Sequence, residues 1–377
     1  MSRLRVLILR PDNIGDLVLF SGALPHIREL YPDAEITLAV QEHVTGLFLS
    51  CPFIDSCVPV GTLSWWGIPG PGGGRLQALV KAVIDGVNGV RNALRPPFDV
   101  VICPLKSPDR HHLELVALLH APQRYGVAGC TLNLPQAGLP ARLRPRTLFT
   151  RYYDVSQEDP WRHELQFNAD FLRFVGCRDV APHDIAPVLW LSERDSRHVP
   201  ALRDPERKTV ALFPGAAAKI RCWDAANYGE LAGRLQLPVV YAIFGSPGDH
   251  GLAVEVETAI KARCPSATVV NLAGQTTLRE LAACIGHCNL FIGSETSGLH
   301  MAIAAGVPSV GIVGGGHFGR FVPWGDPEQH IFLTTELQCF HCNWKCDRGG
   351  ECIASVTATE VAQAATQLLQ RPQECRS

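Results

Sequence analysis

The chain has no uninterrupted apolar stretch of 18 residues, which removes a bilayer-spanning helix as the reading of any segment. A signal-peptide pattern is also missing. The apolar run Leu4–Leu9 stops at Arg10 and leads to no small-residue cleavage site. The expected location is the cytoplasm, with at most peripheral membrane contact. Charge of one sign is missing too. Lys and Arg number 34 against 36 Asp and Glu, a net charge of −2, so no global field points to nucleic acid. In a reducing compartment disulfides are disfavoured, and the 14 cysteines are read mostly as free thiols.

What is present is a strand–helix alternation that runs twice. A length of 377 residues suggests two or three domains. Leu4–Leu9 reads as a strand buried on both faces, followed by the loop Arg10-Pro-Asp-Asn-Ile-Gly-Asp16 and a helix from Leu17. Further strands are expected at Ala34–Val40, Ser56–Val60, Phe98–Cys103 and Arg124–Val127. A Gly- and Pro-rich surface loop is expected at 61–74 and a helix at 75–93. The pattern restarts with strands at Thr209–Phe213, Val239–Phe244, Thr268–Leu272, Leu290–Gly293 and Ser309–Val313. The last helix opens at Thr357-Ala-Thr-Glu360, a capping-box spacing. These units predict parallel sheets covered by helices on both faces. The expected parts are a first α/β domain over 1–185, a linker over 186–207, a second α/β domain over 208–355, and a terminal helix and tail over 356–377.

Ligands of open parallel sheets bind beyond the carboxyl ends of strands, so the loops there carry the candidates. Asp16 lies in the first turn of a helix after the first strand. It suits either a complement to the helix dipole or a general base. Asp12 in the same loop reads as a turn residue. The small residues Gly215-Ala-Ala-Ala218 let a ligand approach the backbone, and Lys219 and Arg221 add positive charge suited to phosphate. In Glu295-Thr-Ser-Gly-Leu-His300 a turn opens a small-residue helix. Its first N–H groups and dipole favour an anion, and Glu295 has the reach for ribose hydroxyls. Gly314-Gly-Gly-His-Phe-Gly319 fits G-x-G-x-x-G, but Pro323 and Trp324 prevent a helix from opening there. A nicotinamide dehydrogenase is therefore disfavoured.

Ile8-Leu-Arg-Pro-Asp-Asn-Ile-Gly-Asp-Leu17, the Phe213-Pro-Gly215 loop, Asn271-Leu-Ala-Gly-Gln-Thr-Thr-Leu-Arg-Glu-Leu281 and Glu295-Thr-Ser-Gly-Leu-His-Met-Ala-Ile-Ala304 occur in order along nearly the whole chain. Together they resemble glycosyltransferase family 9, which includes ADP-heptose heptosyltransferases of lipopolysaccharide core assembly. The resemblance implies a GT-B fold: two facing Rossmann-like doubly wound domains with an interdomain cleft, acceptor on the first and nucleotide-sugar on the second. It assigns Asp16 as the catalytic acid–base residue and Arg10 and Asn13 to the acceptor. It assigns Lys219, Arg221, Asp249, Glu295, Thr296, Ser297, Gly298 and His300 to the donor. Glu295 departs from the usual Asp by one methylene.

The expected reaction is an inverting transfer to an acceptor hydroxyl on a glycan or lipid-linked acceptor, with ADP-heptose as the favoured donor. Asp16 takes the hydroxyl proton, while Arg221 and the helix end meet the charge on the leaving diphosphate. No Asp-X-Asp motif is placed for a divalent ion, so no cofactor is expected in the chemistry. Competing readings are another nucleotide sugar, a protein or small-molecule acceptor, or a nucleotide- or metal-binding relative without transfer activity. The last motif is Cys339-x₂-Cys342-x₃-Cys346-x₅-Cys352, with His341 inside it. Its first pair has metal-ligand spacing, so a structural zinc or iron is one reading and free thiols the other.

Overall fold

In this computed structural model the described residues are 3–60, 97–130, 132, 139–195, 202, 206–235 and 237–371. The expected loop at 61–74 and helix at 75–93 lie outside them. The chain divides into two units, Met1–Trp190 and Leu191–Ser377, a division that falls within the 186–207 stretch. Each unit is built on a six-stranded sheet.

In the first unit the strands are β1 Arg5–Leu9, β2 Glu35–Gln41, β3 Ser56–Val60, β4 Val100–Ile102, β5 Gln123–Ala128 and β6 Arg151–Asp154. In the second they are β7 Lys208–Phe213, β8 Val239–Ile243, β9 Thr268–Asn271, β10 Leu290–Ser294, β11 Ser309–Ile312 and β12 His330–Leu333. Spatial order is β3-β2-β1-β4-β5-β6 in one sheet and β12-β11-β10-β7-β8-β9 in the other. Every ladder is parallel. Counted from its own first strand, each sheet runs 3-2-1-4-5-6, the order of doubly wound nucleotide-binding folds. Winding reverses between β1 and β4 in one unit and between β7 and β10 in the other. The loops after those four strands therefore border a crevice in each unit.

The central strands form because their apolar runs can be buried on both faces. Val6–Leu9 and Val210–Leu212 are fully buried. The edge strands β6 and β12 were not among those expected from the sequence. Arg151-Tyr-Tyr-Asp154 is exposed or half-buried throughout, and β12 is buried only at His330, so neither carries a core-strand pattern. The terminal helix Ala358–Gln370 starts at the expected Thr357–Glu360 capping box. It is no appendage: Val361, Ala365 and Leu368 share the second unit's core with Val310 and Ile312. Among the described residues no helix is long and apolar enough to cross a membrane.

Candidate active site

At the switch point of the first unit, the chain leaves β1 through Arg10 and enters the helix Ile14–Ser21 at Asp16, half-buried in its first turn. The intervening loop is pinned by its carbonyls. Gln41 Nε2 donates to Pro11 O (3.2 Å) and Asp12 O (3.1 Å), and His112 Nε2 lies 3.2 Å from Pro11 O. Arg10 was expected to meet the acceptor, and the structure encloses it within the first unit. The side chain is 0% exposed. Its guanidinium donates to Pro104 O (2.5 Å) and Glu164 Oε1 (2.9 Å) and lies 4.9 Å from the Phe20 ring centroid. Its Nε is buried and has no hydrogen-bond partner. Burial alone would lower its pKa, but Glu164, Asp12 and Asp16 outweigh that and hold it charged. Asn13 is exposed at the start of the helix, its N–H donating to Asp12 Oδ1 (3.0 Å).

In the second unit, Pro214–Ala218 leads from β7 into a single turn, Lys219–Arg221. The next residues fix that turn. Trp223 is fully buried, donates from Nε1 to Val356 O (2.8 Å) and packs edge-on to Tyr228. Lys219 is exposed, whereas Arg221 is drawn inward and donates from Nη2 to the Glu295 carbonyl (2.5 Å). Its Nε is buried with no acceptor. Asp249 reaches the same loop, because a Cβ on Gly215 would collide with its carboxylate. That carboxylate accepts from Ser246 N and Oγ, both at 2.7 Å, which fixes its direction.

Glu295, after β10, is 4% exposed. Burial pushes its carboxyl up to about 7 against the pull of Arg221, and Oε2 has no hydrogen-bond partner. The helix Ser297–Ala304 follows. At its N-cap, Thr296 makes no side-chain capping bond, so the first N–H groups lack the usual side-chain acceptor. Gly298 is required by close packing: a Cβ there would stand 2.6 Å from the Phe213 ring. His300 is 4% exposed, and its Nδ1 accepts from Trp324 Nε1 (3.0 Å) under a stacked ring contact. The neutral ring therefore carries its proton on Nε2.

Three residues here were not read from the sequence. Trp344 lies with its ring centroid 4.6 Å from the Arg221 guanidinium carbon. His317 is held neutral, its pKa lowered to about 4 by burial and then by the Arg320 and Arg221 charges, against its bond to Asn343 Oδ1. Arg320 is 8% exposed. Their only sequence signal was position, in or packed on the loop beyond β11. A groove beside the terminal helix, lined by Gly233, Arg234 and Gln363 among others, contains none of this cluster.

For the cysteine segment the sequence left open a structural metal or free thiols. Among the described residues no three His, Cys, Asp or Glu side chains are grouped to hold a metal. All described cysteines are free thiols. Cys352 Sγ accepts from Gly315 N (3.4 Å) and Cys346 Sγ from Gly350 N (3.3 Å). Burial raises the Cys342 pKa, and the neighbouring Cys346, Cys339 and Cys352 add to the rise, which favours thiol over thiolate.

The model of glycosyltransferase family 9 (heptosyltransferase) matches residues 127–350. Lipopolysaccharide heptosyltransferase 2 of Escherichia coli K12 is 30% identical over 319 residues, covering 82% of this chain and 83% of that protein. The chain belongs to glycosyltransferase family 9. Lipopolysaccharide heptosyltransferase 3 of the same organism is 23% identical over 374 residues, covering 94% and 95% of the two chains. In fold, this family 9 glycosyltransferase is similar to the E. coli ADP-heptose LPS heptosyltransferase II. That match has TM-score 0.68, 17% identity and coverage of 97% and 98%. It is also similar to the iron-containing dodecameric glycosyltransferase TibC from enterotoxigenic E. coli H10407, with TM-score 0.54, 13% identity and coverage of 97% and 76%. The two doubly wound sheets are those of a GT-B enzyme.

Proposed function

We propose that this glycosyltransferase moves heptose from ADP-heptose to a hydroxyl of lipopolysaccharide core or a related glycan, in the cytoplasm, with inversion at the anomeric carbon. The substrate class is supported by relatives whose names carry it and whose length the chain largely covers. One observation carries the donor site. At the second unit's switch point, a half-buried arginine whose Nε is enclosed and unmatched adjoins a buried carboxyl with an unmatched Oε2, beside a helix end that no side chain caps. Buried polar groups are normally satisfied, and the missing partners here are those a nucleoside diphosphate supplies.

Arg221 and the Thr296–Gly298 N–H groups receive the diphosphate, with Lys219 adding charge at the exposed edge. Glu295 and Asp249 accept from sugar hydroxyls. Asp16 accepts the proton as the acceptor oxygen attacks the anomeric carbon, and the bond to the diphosphate oxygen breaks as the glycosidic bond forms. Negative charge grows on the leaving group, where fixed cations and N–H groups stabilise it more than in the ground state. The C-terminal thiols take no part.

The test uses full-length protein, a panel of nucleotide sugars and a core-oligosaccharide acceptor. ADP-heptose should give acceptor-dependent ADP release and a product of inverted anomeric configuration. Equal or faster turnover of uridine- or guanosine-linked sugars would overturn the donor, and nucleotide binding without turnover would overturn the mechanism. Metal analysis after chelator-free purification should find well below one equivalent of zinc or iron. A full equivalent would show the thiols to be metal ligands instead.

A further inference from the structure

The glycine-rich run after β11 resembles a phosphate loop in sequence, but its glycines serve another purpose. A Cβ on Gly314 would stand 2.6 Å from Cη2 of Trp344, and one on Gly316 2.5 Å from its Cδ2. One on Gly315 would collide with the Phe340 ring. The run is a slot that admits two aromatic rings from the cysteine segment. Backbone bonds lock the segment in place: His341 N donates to Gly315 O (2.8 Å) and Asn343 N to Gly316 O (3.2 Å). His341, Asn343 and Trp344 all have positive φ, at 66°, 50° and 59°. Such backbone persists in non-glycine residues only where the surroundings enforce it.

This construction presents the Trp344 ring to Arg221. The guanidinium carbon lies 4.6 Å from the ring centroid, while Nη2 is bonded to the Glu295 carbonyl. An arginine side chain has many rotamers, and two fixed contacts leave it few. The aromatic face supports the cation without neutralising it, as a carboxylate at the same place would.

We propose that Trp344 is a positioning residue for the reaction, holding Arg221 in the pose that binds the donor diphosphate. The proposal rests on the reading of Arg221 as a diphosphate ligand. It makes the cysteine segment a brace for the donor site.

A double-mutant cycle on the full chain tests it, with ADP and inorganic pyrophosphate as calorimetric probes and donor KM and kcat as kinetic readouts. Trp344→Ala should weaken both probes by about 2- to 30-fold, the span of a cation–π contact, and raise the donor KM more than it lowers kcat. Trp344→Phe, which retains an aromatic face, should recover most of the loss. Trp344→Leu, which retains bulk alone, should not, and it serves if the Ala variant fails to fold. In an Arg221→Ala background, Trp344→Leu should change affinity less than twofold. Additive losses in that background would overturn the proposal and leave Trp344 as general packing. If wild type binds neither probe, or Arg221→Ala binds both normally, the diphosphate reading falls and this proposal falls with it.

Discussion

The two units share one winding and put opposite charge balances at its switch point. In the first, a single buried guanidinium, Arg10, is surrounded by Glu164 at 2.9 Å, Asp12 at 3.7 Å and the nearby Asp16. Carboxylates outnumber the cation, and Asp16 is the one in the first turn of the helix. In the second, Arg221 and Arg320 both act on His317, while burial inclines the nearest carboxyl, Glu295, toward its neutral form. Cations are in excess there, which suits an anion. Identical topology thus supplies a crevice in each unit, and under the proposed function the local charge count would decide which takes a proton and which a phosphate.

Four changes would break or sharpen this contrast. The largest effect is expected from Asp16→Asn, which keeps the shape and removes the basic oxygen. Transfer should fall by ~10²–10⁴-fold, the range for loss of a general base, with ADP affinity little changed. Near-normal turnover would end the division of labour between the units. Next, Glu164→Ala leaves Arg10 charged and buried without its closest counter-ion. Chemical denaturation should report a loss of about 3–5 kcal/mol, and a loss under 1 kcal/mol would mean that Asp12 and Asp16 already balance the charge. Third, Arg221→Ala should weaken ADP binding by roughly 1.5–3 kcal/mol, the worth of a hydrogen bond to a charged group. Calorimetry showing unchanged affinity would remove the cationic site from the second unit.

The fourth change concerns pH. The folded-state pKa of Glu295 is raised to about 7 from an ordinary 4.5. Folding therefore favours the protonated form. Its contribution to stability is complete below pH 4.5 and is lost as pH rises through 7. Ligand-free wild type should lose stability over that window relative to Glu295→Gln, whose side chain does not titrate. Parallel stability curves for the two would show that the carboxyl is solvated rather than buried.

The winding and the positions of Asp16, Arg221 and Glu295 were legible because each rests on short-range pattern. Apolar runs mark the central strands, and the residue after such a strand in a parallel sheet faces the crevice. The resemblance to family 9 supplied the roles. Burial of Arg10 was not legible, because its counter-ion, Glu164, lies far along the chain and nothing local signals the pairing. Trp344 was missed for a similar reason. The Gly314–Gly316 run reads as part of a G-x-G-x-x-G pattern until the rings that fill it are known. The cysteine spacing does not reveal that two of the sulfurs, those of Cys346 and Cys352, accept backbone N–H bonds.

Thr296 has a consequence for how the enzyme responds to its ligand. A helix end without a side-chain cap forgoes about 0.5–2 kcal/mol that a capping residue gives. An anion seated at Ser297 and Gly298 would restore that amount, so occupancy and local rigidity are thermodynamically linked. The empty enzyme should fray at this helix start, and the loaded enzyme should be ordered there. Amide exchange at Ser297, Gly298 and Leu299 would then act as a built-in gauge of whether the donor is on the protein.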